Sequence, residues 1–324
     1  MRQTFMLFCC LIASSWAWAQ AGYKPAVPFE AGLFAGTSAF LGDLGGQTGI
    51  GRPFLRDTDM KALRATGGIF FRYNMAANFA LRADLSYIGL RGDDKWAGKG
   101  SSGFSATDAT QGGGDDAWFR SYRNLSFRSR VYELMLVGEI IPYNFELGGG
   151  YQGYSVLSPY ALLGVGAFNF RPQALYNGTW TDLQPLSTEG QGFVAGRVPY
   201  KLTQMCVPVG LGVKWSYNDV WTLGLEVNHR ITFTDYIDDV STNYVDPTIY
   251  SSRFDPEKAA MAAALASRSV EIDPAMVNGY VSAPNEQRGD PKDNDSYYTI
   301  TIRASYFLPE GTFGGGKRYG CPVW

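Results

Sequence analysis

Across residues 203–235 apolar and polar side chains alternate almost without interruption, and this restricts the fold more than any other feature. In the first arm Thr203, Met205, Val207, Val209, Leu211, Val213, Trp215 and Tyr217 share a face. Gln204, Cys206, Pro208, Gly210, Gly212, Lys214 and Ser216 lie opposite. In the second arm Trp221, Leu223, Leu225, Val227, His229, Ile231 and Phe233 oppose Thr222, Gly224, Glu226, Asn228, Arg230, Thr232 and Thr234. A period of two is that of a strand, and each arm, at about fifteen residues, far exceeds the usual five or six. Asn218-Asp219 between them is turn chemistry. Glycines and charges on one face suit a narrow polar interior, and the apolar face with its aromatic ends suits lipid.

The same alternation predicts strands at 29–43, 64–74, 79–91, 125–140, 158–171 and 296–307, giving eight with the hairpin. The facing of 158–171 stays ambiguous, because glycine and apolar residues fall on both parities. Connections after the odd strands are long (44–63, 92–124, 172–200, 236–294), and those after the second and sixth are very short. Within the last, Asp255-Pro256-Glu257 before an alanine-rich run is a helix start. The expected fold is therefore all-β: an eight-stranded antiparallel transmembrane β-barrel with long extracellular loops, a short helix in the last loop, and both termini periplasmic.

Residues 1–19 read as a signal peptide, with Arg2, an apolar middle and Ala17-Trp18-Ala19 before the cut. The remaining expected divisions are a periplasmic lead (20–28), the barrel (29–307) and a periplasmic tail (308–324). A net charge of −2 argues against nucleic-acid binding. The exported chain keeps Cys206, expected toward the outer half of the sixth strand, and Cys321, expected in the periplasm, too distant to bridge each other. Cys321 is either an unused thiol, the plainer reading, or the partner of a thiol on another protein in an oxidising compartment.

Strand parity sends Glu30, Asp84, Glu133, Glu139 and Glu226 inward, along with Arg72, Arg82, Lys214, Arg230 and Arg303. Eight strands leave room only for side chains, and buried charges must pair. A salt-bridged plug is expected, because a selective channel would call for more strands or a one-signed ring. His229, the sole histidine, faces lipid without a nucleophile at readable spacing, so no enzyme and no cofactor is expected. Asp93-Asp94, Asp115-Asp116 and Asp238-Asp239 lack the ligand spacing of a calcium loop and read as loop salt bridges or hydrated groups.

Several strand-end motifs go beyond generic barrel patterning. They are Phe40-Leu41-Gly42-Asp43, Thr188-Glu189-Gly190-Gln191-Gly192, and Thr234-Asp235-Tyr236-Ile237-Asp238-Asp239-Val240-Ser241. Arg288-Gly289-Asp290-Pro291 and Asp295-Ser296-Tyr297 complete the set. Together, over about residues 28–324, they make the chain resemble the Bacteroidetes outer-membrane barrel family that includes PorG of type IX secretion. The resemblance implies an outer-membrane protein, in contact with lipid, that tethers a periplasmic ring of PorK- and PorN-like proteins. The motifs themselves read as structural, supplying turn geometry and carboxylates for backbone amides. Ring contacts are expected in the tail, with Cys321 and Trp324, and in the 141–157 connection. The alternative is a free-standing barrel that binds surfaces through its long loops.

Overall fold

A computed structural model of the chain describes residues 28–44, 60–97, 116–147, 154–272 and 282–308. The leader 1–19, most of the lead 20–28, Asp115, Cys321 and Trp324 lie outside these residues.

The strands are β1 (Phe29–Leu41), β2 (Arg64–Ala76), β3 (Phe79–Asp93), β4 (Ser126–Ile140), β5 (Phe145–Leu147), β6 (Ser155–Tyr176), β7 (Thr179–Asp182), β8 (Thr203–Tyr217), β9 (Trp221–Thr232) and β10 (Ser296–Phe307). Eight of them form a closed antiparallel barrel in the order β1-β2-β3-β4-β6-β8-β9-β10, sealed where Glu30 opposes Phe307 and Leu41 opposes Ser296. Closure gives each of these eight strands a neighbour on both sides, as a bilayer demands. Outward residues such as Leu33, Ile69, Leu134, Leu163, Leu211 and Ile302 are all more than half exposed. Such a collection of exposed apolar side chains is far larger than a water-facing monomer carries. Among the described residues no helix is long and apolar enough to cross a membrane. The exterior is the lipid-facing wall of an outer-membrane-type barrel.

One end has short turns. Asn218 and Asp219 both have positive φ (50° and 51°), the geometry of a tight primed turn between β8 and β9. The described chain ends meet there too, where Leu308 N–H donates to Phe29 C=O. The other end carries four long connections.

Three expectations are corrected. The ambiguous fifth strand runs over Ser155–Tyr176 rather than 158–171, with Val156, Ser158, Tyr160, Leu162, Phe168 and Phe170 inward. It continues past the barrel wall and turns at Asn177-Gly178 (φ 46° and 80°) into β7, so the start of the expected 172–200 loop is a hairpin. The 92–124 loop contains a helix, α1 (Asp116–Arg123), ended by Asn124 in the left-handed region. The last loop holds α2 (Thr248–Ser251) and α3 (Pro256–Ala266). In α3 Asp255 accepts from Lys258 N–H at 2.9 Å and Pro256 opens the first turn, as the sequence predicts.

The interior is polar only in part. Towards the long-loop end Phe40, Ile88, Leu90, Phe127, Val131, Phe168, Phe170 and Tyr297 fill the bore with apolar contact. A second apolar cluster lies outside the barrel, where Leu183, Leu186, Tyr250, Ala262 and Leu265 pack α3 against the β6 extension.

Candidate functional site

The ten lumen residues predicted by parity are all inward, and none is more than 6 % exposed. Nine of them converge in two groups. Arg72 reaches Glu30 at 2.9 Å and Glu139 at 3.1 Å. Arg82 binds Asp84 and Glu226 at 2.8 Å each, and also Glu139. Arg303 returns to Asp84 at 2.6 Å and Glu226 at 2.9 Å, which closes the ring. Lys214 lies more loosely, 3.6 Å from Glu139. Further along the bore, Arg230 pairs with Glu133 at 3.2 Å as a separate fork. In so dry a space each carboxylate must fill its lone pairs or bear a large desolvation cost.

Groups not singled out by charge complete these pairs. Tyr160 hydroxyl donates to Glu226 at 2.8 Å and Tyr297 hydroxyl to Glu133 at 2.7 Å. Ser305 and Asn74 donate to Glu30 at 2.7 Å each. Phe34 and Phe70 line the Arg303 guanidinium with ring centres at 4.3 and 4.5 Å. Their inward parity was the available signal; for Tyr160 the ambiguous strand hid it.

Beyond the apolar layer the motif residues meet in a second polar body, built from loops. Glu189 is its hub. It accepts from the N–H groups of Ser241 (2.9 Å) and Thr242 (3.0 Å), from Thr242 hydroxyl (2.7 Å) and from Arg288 (2.9 Å). Gln191 holds the Glu189 N–H at 3.1 Å, and Gly190 and Gly192 supply positive φ on either side. Arg288 also donates to the carbonyls of Asp239 (2.5 Å) and Ala266 (3.1 Å). Asp239 accepts from Thr188 and Tyr200 hydroxyls at 2.5 and 2.6 Å. Tyr236 stacks on Tyr200, with 4.7 Å between ring centres.

Asp238 joins two loops, accepting from Leu44 N–H at 3.0 Å and Val240 N–H at 2.9 Å. Asp295 accepts from Ile237 N–H at 2.7 Å, and Asp43 from Asp290 N–H at 2.8 Å. A side chain at Gly42 would strike Asp295 and Phe40, and one at Gly289 would strike Asp43 and Ser241. Both glycines are places of close approach. Asp235 and Thr234 are buried beside them at the end of β9. Arg123, unremarked in the sequence, clamps Asp94 with two bonds of 2.8 Å and reaches the carbonyls of Asp43 and Arg288. All four long connections are thereby tied together.

Crowding of acids sets the electrostatics here. Burial pushes Asp235 up to about 8, with Asp43 adding repulsion and Ser241 opposing. Burial likewise raises Asp43 to about 6 and Asp239 to about 6, although Arg123 and Arg288 respectively pull them down. Asp238 and Asp295 are driven well above the ordinary carboxylate range by burial and by their acidic neighbours. Among the described residues no cluster of acids, His or Cys is arranged to hold a metal. His229 sits on the outward side of β9, opposite Tyr298 and Val209.

The N-terminal barrel domain of OprF from Pseudomonas aeruginosa is a structural neighbour at 6% identity and TM-score 0.31, over 86% of this chain and 96% of that one. The attachment invasion locus protein Ail of Yersinia pestis, in complex with the heparin analogue sucrose octasulfate, aligns at 9% identity and TM-score 0.32, over 86% and 98%. No curated protein matches the chain. Residues 2–255 match the family model described as Domain of unknown function (DUF6089), and the chain belongs to that family.

Proposed function

We propose that the chain is a non-conducting anchor in the outer membrane, its long-loop end outside and both termini periplasmic. The observation that supports it best is the doubly stoppered bore. An ion-paired ring fills one stretch, an apolar layer fills the next, and the loop body covers the mouth. A conducting pore needs a hydrated path, and burial of every lumen charge argues against one. A catalytic reading finds no support either, since most carboxylates of the polar body are engaged by backbone amides, and Asp239 by hydroxyls and Arg288, rather than poised beside a nucleophile.

What such an anchor holds is read from the motifs. Their likeness to the PorG-containing family supports a part in type IX secretion, with the periplasmic tail and the β4–β6 connection gripping PorK- and PorN-like ring proteins. Deleting residues 308–324 tests this. Secretion lost while the barrel still inserts supports the tether. Intact secretion with the ring still co-purifying from mildly solubilised outer membrane removes it. Surface adhesion is the second reading, favoured by the separate apolar core beneath α3, which makes the loops a built surface.

A further inference from the structure

We propose that the outward face of β2, β3, β4 and β6, at the long-loop end, is a docking band for the phosphate groups of outer-leaflet glycolipid. The band lies where the lipid wall stops. Tyr87 and Tyr132 oppose each other across β3 and β4, edge to face at 5.5 Å, in the manner of an interfacial aromatic belt. One step further along the same face Arg130 stands directly opposite Arg171, and the next step places Arg91 opposite Arg128. Arg64 joins them from β2, its stem lying against the outward side of Gly89.

Like charges directly opposite on one sheet face destabilise the sheet. Two such pairs side by side therefore call for anions, and the described residues supply too few. Arg171 is bound by Asp182 at 2.5 Å and Arg91 lies 3.6 Å from Asp93. Arg128 stacks on Trp180 at 3.9 Å, which leaves its charge uncancelled. The Arg130 side chain is exposed and shares the field of Asp182, which Arg171 already binds. Among the described residues five guanidinium groups thus face two carboxylates. The patch is also one-sided: no outward position of β1, β8, β9 or β10 holds Lys or Arg. A half-open cleft of about 300 Å³ beside Arg171, bordered by Asn169, Asp182, Gln184 and Leu202, gives room for a sugar next to the charges. Guanidinium forks bind phosphate oxygens bidentately, and at this height the available phosphates belong to lipid headgroups.

The assignment to the outer leaflet rests on the orientation given under Proposed function; the phosphate preference does not. The test uses the full chain in detergent, with phosphorylated lipid A, dephosphorylated lipid A, phosphatidylglycerol and inorganic phosphate as probes, read by native mass spectrometry. Phosphorylated lipid A is expected to be retained about tenfold better than its dephosphorylated form, the gain a few charge-assisted hydrogen bonds supply. The Arg91→Gln/Arg130→Gln variant, altered only on an exposed face, should lose that preference while melting as the parent does. Equal retention of both lipid A forms overturns the proposal. So does retention of phosphatidylglycerol as strong as that of lipid A, or of inorganic phosphate alone. Orientation is read separately, by labelling Ala260→Cys on whole cells with an impermeant maleimide. Labelling supports the outer-leaflet assignment, and protection on intact cells with labelling after lysis overturns it.

Discussion

The two buried polar bodies of this protein solve the same problem in opposite ways. In the lumen, charge is balanced side chain against side chain: Arg82 alone meets Asp84, Glu139 and Glu226. In the loop body, acids outnumber bases, and most carboxylates are satisfied by backbone N–H groups of a neighbouring loop. Strands have no backbone donors to spare, because every N–H is in the ladder, so an inward carboxylate must find a cation. Loops have many such donors, and an acid can serve there as a staple. The lumen should therefore resist changes in pH and fail when one charge is removed, whereas the cap should tolerate the loss of one contact and respond to protons.

The largest effect is expected in the lumen. Arg82→Met leaves three buried carboxylates short of a partner, and stripping one member from a buried network costs about 3–5 kcal/mol. The barrel's melting temperature in detergent, followed by its heat-modified gel mobility, should fall steeply. An unchanged melt would mean that the ring merely fills space and that water reaches it.

The matching change in the cap is Arg288→Met. Glu189 keeps its amide donors from Ser241 and Thr242, so the loss is confined to the unsatisfied acceptors, about 1–3 kcal/mol. Limited proteolysis should cut the long loops sooner while the barrel melts as before. If the barrel melt drops with it, cap and barrel are one cooperative unit and the contrast fails.

Protons sharpen the comparison next. Asp235 titrates at about 8 in the folded chain against 3.8 for an ordinary aspartate, mainly through burial, so the folded cap holds a proton that an opened loop has released. Stability from this group is full below about pH 4 and is lost as pH rises to about 8. Asp43 and Asp239, each raised to about 6, act in the same direction over a narrower range. Loop cleavage should therefore quicken from pH 5 to pH 8.5, when corrected for the protease's own profile with an unfolded substrate. A flat profile would show that the cap's acids are charged throughout, with cations on them.

How much of this was legible follows from the same contrast. Parity along a strand is local, so Glu226 and Arg303 could be sent inward from the alternation alone, and their meeting follows from a closed bore too narrow to keep charges apart. The apolar layer was legible only in part: Phe40, Ile88 and Leu90 continue the inward parity of their strands, whereas Phe168 and Phe170 lie on the strand whose glycines blurred its facing. The cap was visible only as motifs. Nothing periodic says that Glu189 will meet Arg288, 99 positions away, or that Arg123 will close over Asp94. Those contacts depend on loop paths, which are set by positive-φ turns at Ser187, Gly190, Gly192 and Asp239 rather than by hydrophobic pattern.

The smallest effect probes whether the cap's own core is autonomous. Asp255 caps α3 through Lys258 N–H, and that helix packs Ala262 and Leu265 against Leu183 and Leu186. Asp255→Ala removes one cap acceptor, worth about 1 kcal/mol. Hydrogen exchange should rise in the first turn of α3 and stay level in Glu189 and Ser241, because the acid-to-amide staples do not pass through the helix. Faster exchange at Ser241 would instead mean that α3 braces the knot of carboxylates. The loop body would then have to be treated as a single folded piece whose weakest joint is its helix start.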